Sequence, residues 1–157
     1  PLQPWNQRPH EERFLLNPGF CAFIIWHAAT DALKNPKGKR TALHYLEAFL
    51  LLPLILHQKT RESLPTNVRS SIPTWVESNP LLVAGLPFRT LQLVPYAKEA
   101  LLYGSNSGLF QIEGEVIVPN AKYRVVFNRA SGDMSDEVAE CMKKAEFLVG
   151  GSCEPVQ

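Results

Sequence analysis

The chain has 157 residues, 45% of them hydrophobic and 20% charged, with a formal net charge of +1. That length suits one domain with a sizeable core, and the near-neutral balance excludes a global electrostatic drive toward nucleic acid or an anionic membrane. Three cysteines, Cys21, Cys141 and Cys153, form no CxxC pair, which argues against a disulfide framework or structural zinc and suits free thiols in a reducing cytoplasm. No signal peptide or membrane-spanning run is read, an observation that the absence of an initial methionine weakens.

Residues 1–14 are rich in Pro, Arg, Glu and Gln and read as an extended N-terminal arm. Trp5 and Phe14 would dock it on the body or on a partner. Asn17-Pro18 is an N-cap followed by a first helical proline, opening a helix to Leu33 that is apolar on nearly every side. Asn35-Pro36 and Gly38 break it in a basic loop.

The stretch from Thr41 to Leu56 carries one charge, Glu47, so it reads as a central core helix around which the rest is arranged. Pro53 should kink or end it near Leu52. Its uninterrupted apolar run, residues 48–56, is too short to cross a bilayer, which takes about 20 residues. After His57 the segment Lys59 to Pro65 is polar and partly helical. Ser70 or Ser71 caps a short helix to Ser78, and Asn79-Pro80 begins a third long segment to Tyr103. Pro87 and Pro95 bend or divide that segment, and Gly104 closes it.

The period then changes. Phe110, Ile112, Val116 and Val118 share one face, Pro119-Asn120 is a turn, and Tyr123, Val125 and Phe127 alternate with Lys122 and Arg124. This reads as a β-hairpin at about 109–128, with Glu113 and Glu115 opposite Lys122 and Arg124. A last helix runs from Asp136 to Leu148. The expected fold is mainly α with a small β-hairpin: an orthogonal helical bundle, winged-helix-like, over residues 15–149, with a tail at 150–157.

Chemistry is sparse. Cys21 sits in an apolar helix without a basic neighbour, so it reads as structural rather than nucleophilic. His27, His44 and His57 lack the spacing of helical metal ligands, and His44 with Glu47 reads as a satisfied polar pair. No phosphate loop and no GxGxxG occur. The expectation is a protein that is not an enzyme, with no cofactor and no metal. Three basic clusters remain: Lys34, Lys37, Lys39 and Arg40; Lys59, Arg61 and Arg69; and Lys122, Arg124 and Arg129. They are either a phosphate-tracking surface or ordinary solvated charge, and Lys37, Lys39, Arg40, Lys122, Arg124 and Arg129 are the candidate DNA contacts.

Five spaced motifs carry a resemblance. They are Arg8-Pro-x-Glu11-Glu12, Leu16-Asn-Pro-Gly-Phe-Cys21-Ala, Leu50-Leu-Leu-Pro53-Leu-x-Leu-His57, Thr60-Arg-Glu-x-Leu-Pro65 and Pro95-Tyr-x-x-Glu-Ala-Leu-Leu-Tyr-Gly104. Their order resembles the middle component of three-component ABC systems. They cover most of residues 8–104, and Lys143-Lys-Ala-Glu-Phe-Leu148 is similar to that family's C-terminal helix.

The resemblance implies a small non-catalytic accessory subunit of bacterial defence against phages and plasmids, similar to that of Lamassu-type systems. Such a subunit binds an SMC-like ABC ATPase and helps couple sensing of foreign DNA to an effector, often a nuclease. No catalytic residues come with it, and no membrane partner. Lys59, Thr60, Arg61 and Glu62 then have two readings: a polar cap on the central helix, or a docking surface for the ATPase. Trp5 and Arg8 are further partner-binding candidates, since aromatics and arginine are over-represented at binding hot spots. The alternative function is a stand-alone winged-helix DNA-binding regulator that uses the hairpin as its wing.

Overall fold

Asn17 begins the element that organises the molecule. Its side-chain oxygen accepts from the backbone N–H of Gly19 at 2.8 Å and of Phe20 at 3.2 Å, and Pro18 takes the first helical position, where its missing N–H costs nothing. In the computed structural model, which describes residues 2–34, 42–66 and 71–150, this helix spans Pro18–Lys34. It follows a short 3-10 turn, Trp5–Gln7, and a helix α1, His10–Leu15, and is called α2. Cys21, Ala22, Ile24, Ile25, Trp26, Ala28, Ala29 and Ala32 are all buried, each large apolar one contributing roughly 1.5–3 kcal/mol. Helices α7 and α9, defined below, flank α2 along with the sheet.

The stretch expected to be the central helix divides instead. Leu43–His44 is a strand, β1, Tyr45–Glu47 is a 3-10 turn, and Ala48–Leu56 is a helix, α3. The cause is local. The His44 ring accepts from Leu46 N–H, and the Glu47 carboxylate accepts from His44 N–H, a reciprocal cap that starts the helical course late. Helix α3 continues through Pro53 to Leu56. It lies against α7 and α9 rather than at the centre, and Leu46 and Leu50 stay exposed.

Three shorter helices follow: α4, Gln58–Ser63; α5, Ile72–Ser78; and α6, Pro80–Ala84. Ser71 caps α5 by accepting from Thr74 N–H. Trp75 on α5 is buried and donates its indole N–H to Ser63 Oγ at 3.0 Å, tying α5 to the end of α4. Helix α7 spans Leu86–Asn106.

Gly104 does not close α7; it lies inside it, for a packing reason. A Cβ there would sit 2.2 Å from the Phe110 ring, so glycine is what lets the buried ring lie against the helix. The helix is closed by Gly108, with φ +76. Leu109 N–H reaches back to Gly104 O and Gly108 N–H to Ser105 O, the paired bonds of a left-handed glycine terminus.

The hairpin is shorter than expected. Strand β2, Phe110–Glu113, and strand β3, Val116–Pro119, are joined at Gly114-Glu115, where Gly114 has φ +62. A two-residue loop with glycine first matches the twist of the paired strands. Ile112 therefore faces Ile117, and β1 adds to the other edge of β3 with Leu43 opposite Ile117, giving the antiparallel order β1-β3-β2. Leu43, Phe110 and Ile117 are buried.

Residues expected to form the hairpin's second arm are helical instead: α8, Tyr123–Ala130. Tyr123 and Phe127, four apart, turn inward, while Val125 and Val126 are exposed. A period of four rather than two decides the element. The expected pairing of Glu113 and Glu115 with Lys122 and Arg124 is thereby lost. Phe127 instead joins Phe23, Trp26 and His27 of α2 in an aromatic cluster, with ring centroids 4.7–5.9 Å apart for its own three contacts. Helix α9, Asp136–Gly150, completes the bundle. The fold is mainly helical with a small three-stranded antiparallel sheet, as the expected class has it. Among the described residues, no helix is long and apolar enough to cross a membrane.

Candidate functional site

The turn after α3 is built by its own polar residues. His57 ends α3 and caps α4: its Nδ1 accepts from Thr60 N–H at 3.3 Å and lies 2.7 Å from Thr60 Oγ1. This requires an Nδ1 without a proton. Burial, with Arg89 and Lys59 nearby, holds the imidazole below its ordinary pKa and so favours that state. Thr60 also accepts from Arg89 Nη2.

Arg61 points inward and is 3% exposed. Nη1 donates to Ile55 O at 2.9 Å, Nε to Glu140 at 3.0 Å and Nη2 to Glu137 at 3.1 Å. One guanidinium thus closes the C-terminal end of α3 and clamps it to α9. Burial opposes the charge, yet the bond to Glu140 and the two carboxylates raise the pKa above its usual value. Lys144 on α9 adds a buried bond to Leu64 O, and burial lowers its pKa. Of the four residues singled out in this turn, Thr60 and Arg61 are committed inside the chain, whereas Lys59 and Glu62 face solvent.

The N-terminal segment is not an extended arm but a 3-10 turn followed by α1, lying on α7. Arg8 is buried and makes two 2.8 Å bonds to the Glu99 carboxylate, plus one from Nε to Gln3 O. The hydrogen bond with Glu99 raises its pKa. Tyr96 donates to Glu12 at 2.6 Å, and its hydroxyl is pushed up to about 12 by burial and that carboxylate. Trp5 remains accessible, with the Arg8 guanidinium 5.4 Å from its ring centroid. Trp5 is thus open to a partner, and Arg8 is spent on the fold. The side chain of Phe14 lies outside the described residues.

Among the basic candidates, Lys37, Lys39, Arg40 and Arg69 lie outside the described residues. Lys122, Arg124 and Arg129 are exposed on α8 and the turn before it, not on a strand. No acidic residue occurs between Glu115 and Asp133. The structure therefore places Arg124 and Arg129 on one short helix and Lys122 at its N-cap.

The two described cysteines are buried. Cys21 is fully buried and its thiol is pushed up to about 12 by burial, a group held in the unreactive thiol form. Burial raises the Cys141 thiol too. His27 meets Glu146 at 2.8 Å. Among the described residues, no group of three or more His, Cys, Asp or Glu side chains is placed to hold a metal ion.

The feature missed from the sequence is the outer face of α6 and α7. Ala97, Ala100, Leu101 and Gly104 are buried on the inner side. Leu81, Ala84, Phe88, Leu91, Pro95, Lys98 and Leu102 are exposed on the other. The exposed face of a surface helix is ordinarily polar, as on α9, where Asp136, Glu137, Lys143 and Glu146 point outward. The alternating spacing of three and four was available in the sequence, but nothing there indicated which face was turned away from the core.

Comparison with protein families matches residues 5–154 to the ABC-three component (ABC-3C) system Middle Component 3. The chain belongs to this family. It is thus a middle component of a multi-component ABC system, an accessory part with partner subunits, which makes the apolar outer face of α6–α7 and the exposed Trp5 the surfaces of interest. Neither the curated proteins nor the solved structures contain a match to this ABC-3C middle component.

Proposed function

We propose that this ABC-3C middle component is a non-catalytic accessory subunit that binds an SMC-like ABC ATPase and helps couple sensing of foreign DNA to an effector, often a nuclease, in a bacterial defence system similar to Lamassu. Membership of the middle-component family across nearly the whole chain carries this reading. Two structural features agree with it. The polar residues His57, Thr60 and Arg61 of two of the motifs are consumed in holding the fold, and the chain presents an unusually apolar outer helix face. Co-expression of the chain with the other two components, followed by purification and mass determination, tests it. A complex with the ATPase and the third protein at defined stoichiometry is the expected result. A chain that purifies alone refutes the proposal.

A second reading is direct DNA contact, as in a stand-alone regulator. The exposure of Arg124 and Arg129 on α8 and of Lys122 at its N-cap favours it. It requires salt-sensitive duplex binding by the isolated chain, with the log–log salt slope falling by about 0.9 for each of the three cations removed. No duplex binding by the wild-type chain, or binding unchanged in the Lys122→Glu/Arg124→Glu/Arg129→Glu chain, ends that reading.

A further inference from the structure

We infer that the outer face of α6–α7 seats an amphipathic helix from another subunit of the ABC-3C assembly, packed as a short coiled coil, with an acidic side chain of that helix facing Lys98. The inference rests on the accessory role proposed above and names the surface that performs it.

The periodicity carries the first part. Leu81, Ala84, Phe88, Leu91, Pro95, Lys98 and Leu102 follow one another at intervals of three and four, the a and d positions of three heptads. All seven are exposed; Leu81, Phe88, Leu91 and Leu102 are 88%, 66%, 72% and 65% accessible. Helical hydrogen bonding bridges the junction between the two helices. Gly85 N–H donates to Leu81 O and Gly85 O accepts from Arg89 N–H, with Gly85 itself in the right-handed helical region. The stripe therefore runs about 32 Å at about 1.5 Å per residue. A 3-4 alternation is the spacing at which a second helix stays in register at a shallow crossing angle.

Charge selects the occupant. Lys98 is the one charged residue in the stripe, and Glu99 is the only acid between residues 80 and 106. The Glu99 carboxylate is taken by Arg8 through both oxygens. A second copy of this face would therefore bring Lys98 no carboxylate from α6–α7. A different helix carrying apolar a and d residues and one Asp or Glu opposite Lys98 satisfies both the apolar row and the buried ammonium.

The experiment uses the full chain co-expressed with the ABC ATPase and the third component of its own system. Leu91→Asp and Phe88→Asp change side chains that are mostly exposed, so circular-dichroism melts should stay close to the wild-type temperature. Recovery of the partner should fall, with affinity weakened at least ~30-fold, the size of a hot-spot loss. A photo-crosslinking residue at position 91 should attach to a heptad-bearing segment of the partner. Lys98→Glu should weaken the complex, and exchanging the acid found opposite it for lysine should restore it. Retention of the partner by the folded Leu91→Asp chain overturns this inference alone. A wild-type chain that dimerises by itself, and becomes monomeric with Leu91→Asp, overturns it in favour of self-association. Failure of the wild-type chain to recover either component removes the accessory role and this inference together.

Discussion

Arg61→Ala separates a fold-holding arginine from a docking one. The substitution leaves Ile55 O buried without a donor, which costs roughly 1–3 kcal/mol. The ion pairs add less, about 1 kcal/mol in total, because the Glu137 and Glu140 carboxylates are a third or more exposed and regain water once released. The expected loss is thus about 2–4 kcal/mol, out of about 5–15 for a typical domain. With a urea dependence of about 1–3 kcal/mol per molar, the unfolding midpoint should drop by about 1–2 M. Arg61→Lys should recover less than half of this, since one ammonium on a flexible stem cannot meet a carbonyl and two carboxylates lying on different sides. An Arg61→Ala chain that keeps the wild-type midpoint but loses its partners would refute the reasoning and make this arginine part of an interface.

Gly104→Ala should destabilise the fold by about 1–3 kcal/mol through overpacking against Phe110, despite a helix-propensity gain of roughly 0.5–1 kcal/mol. Thermal denaturation measures the loss, and Phe110→Leu in the same chain should recover part of it. The lowered pKa of His57 makes a pH prediction. As pH falls through 6.5, the ordinary value, the unfolded chain takes up this proton before the folded chain does. Stability from His57, fully present above that pH, is therefore lost on acidification toward the lowered folded value. His57→Asn, which retains a capping acceptor, should flatten this part of the profile in urea titrations between about pH 8 and pH 5. Arg8→Ala should free the N-terminal segment by removing its paired bonds to Glu99. Hydrogen exchange should then quicken over residues 2–15 while α2 keeps its protection.

Where local chemistry decided the outcome, the sequence was a sufficient guide. Asn17-Pro18, Ser71 and Asp136 open helices as read, and the mainly helical class with a small antiparallel hairpin follows from the change of period after Gly108. One source of error is a short segment compatible with two periods. Residues 122–128 alternate convincingly, yet Tyr123 and Phe127 also stand four apart, and the aromatic cluster on α2 rewards the helical choice. Gly114 was read as part of a strand because nothing nearby indicated a positive φ. Gly104 was taken for a helix end because its partner, Phe110, becomes close only in three dimensions. For the site, residue types pointed to Arg8 and Arg61 as important. Their acceptors, Glu99, Glu137 and Glu140, lie 76 to 91 positions away, and no spacing rule reaches that far.

The position of α2 bears on how the protein is made. Its covering helices, α7 and α9, come from the last half of the chain, α9 beginning more than a hundred residues after α2 ends. A ribosome releasing the polypeptide from its N-terminus therefore exposes this largely apolar helix long before its lids exist. Packing around α2 must await the synthesis of α9, and contacts between such distant segments slow the search. A nascent chain, or one that ends before α9, would present α2 to chaperones and proteases, so only molecules that carry α9 should mature into subunits able to assemble.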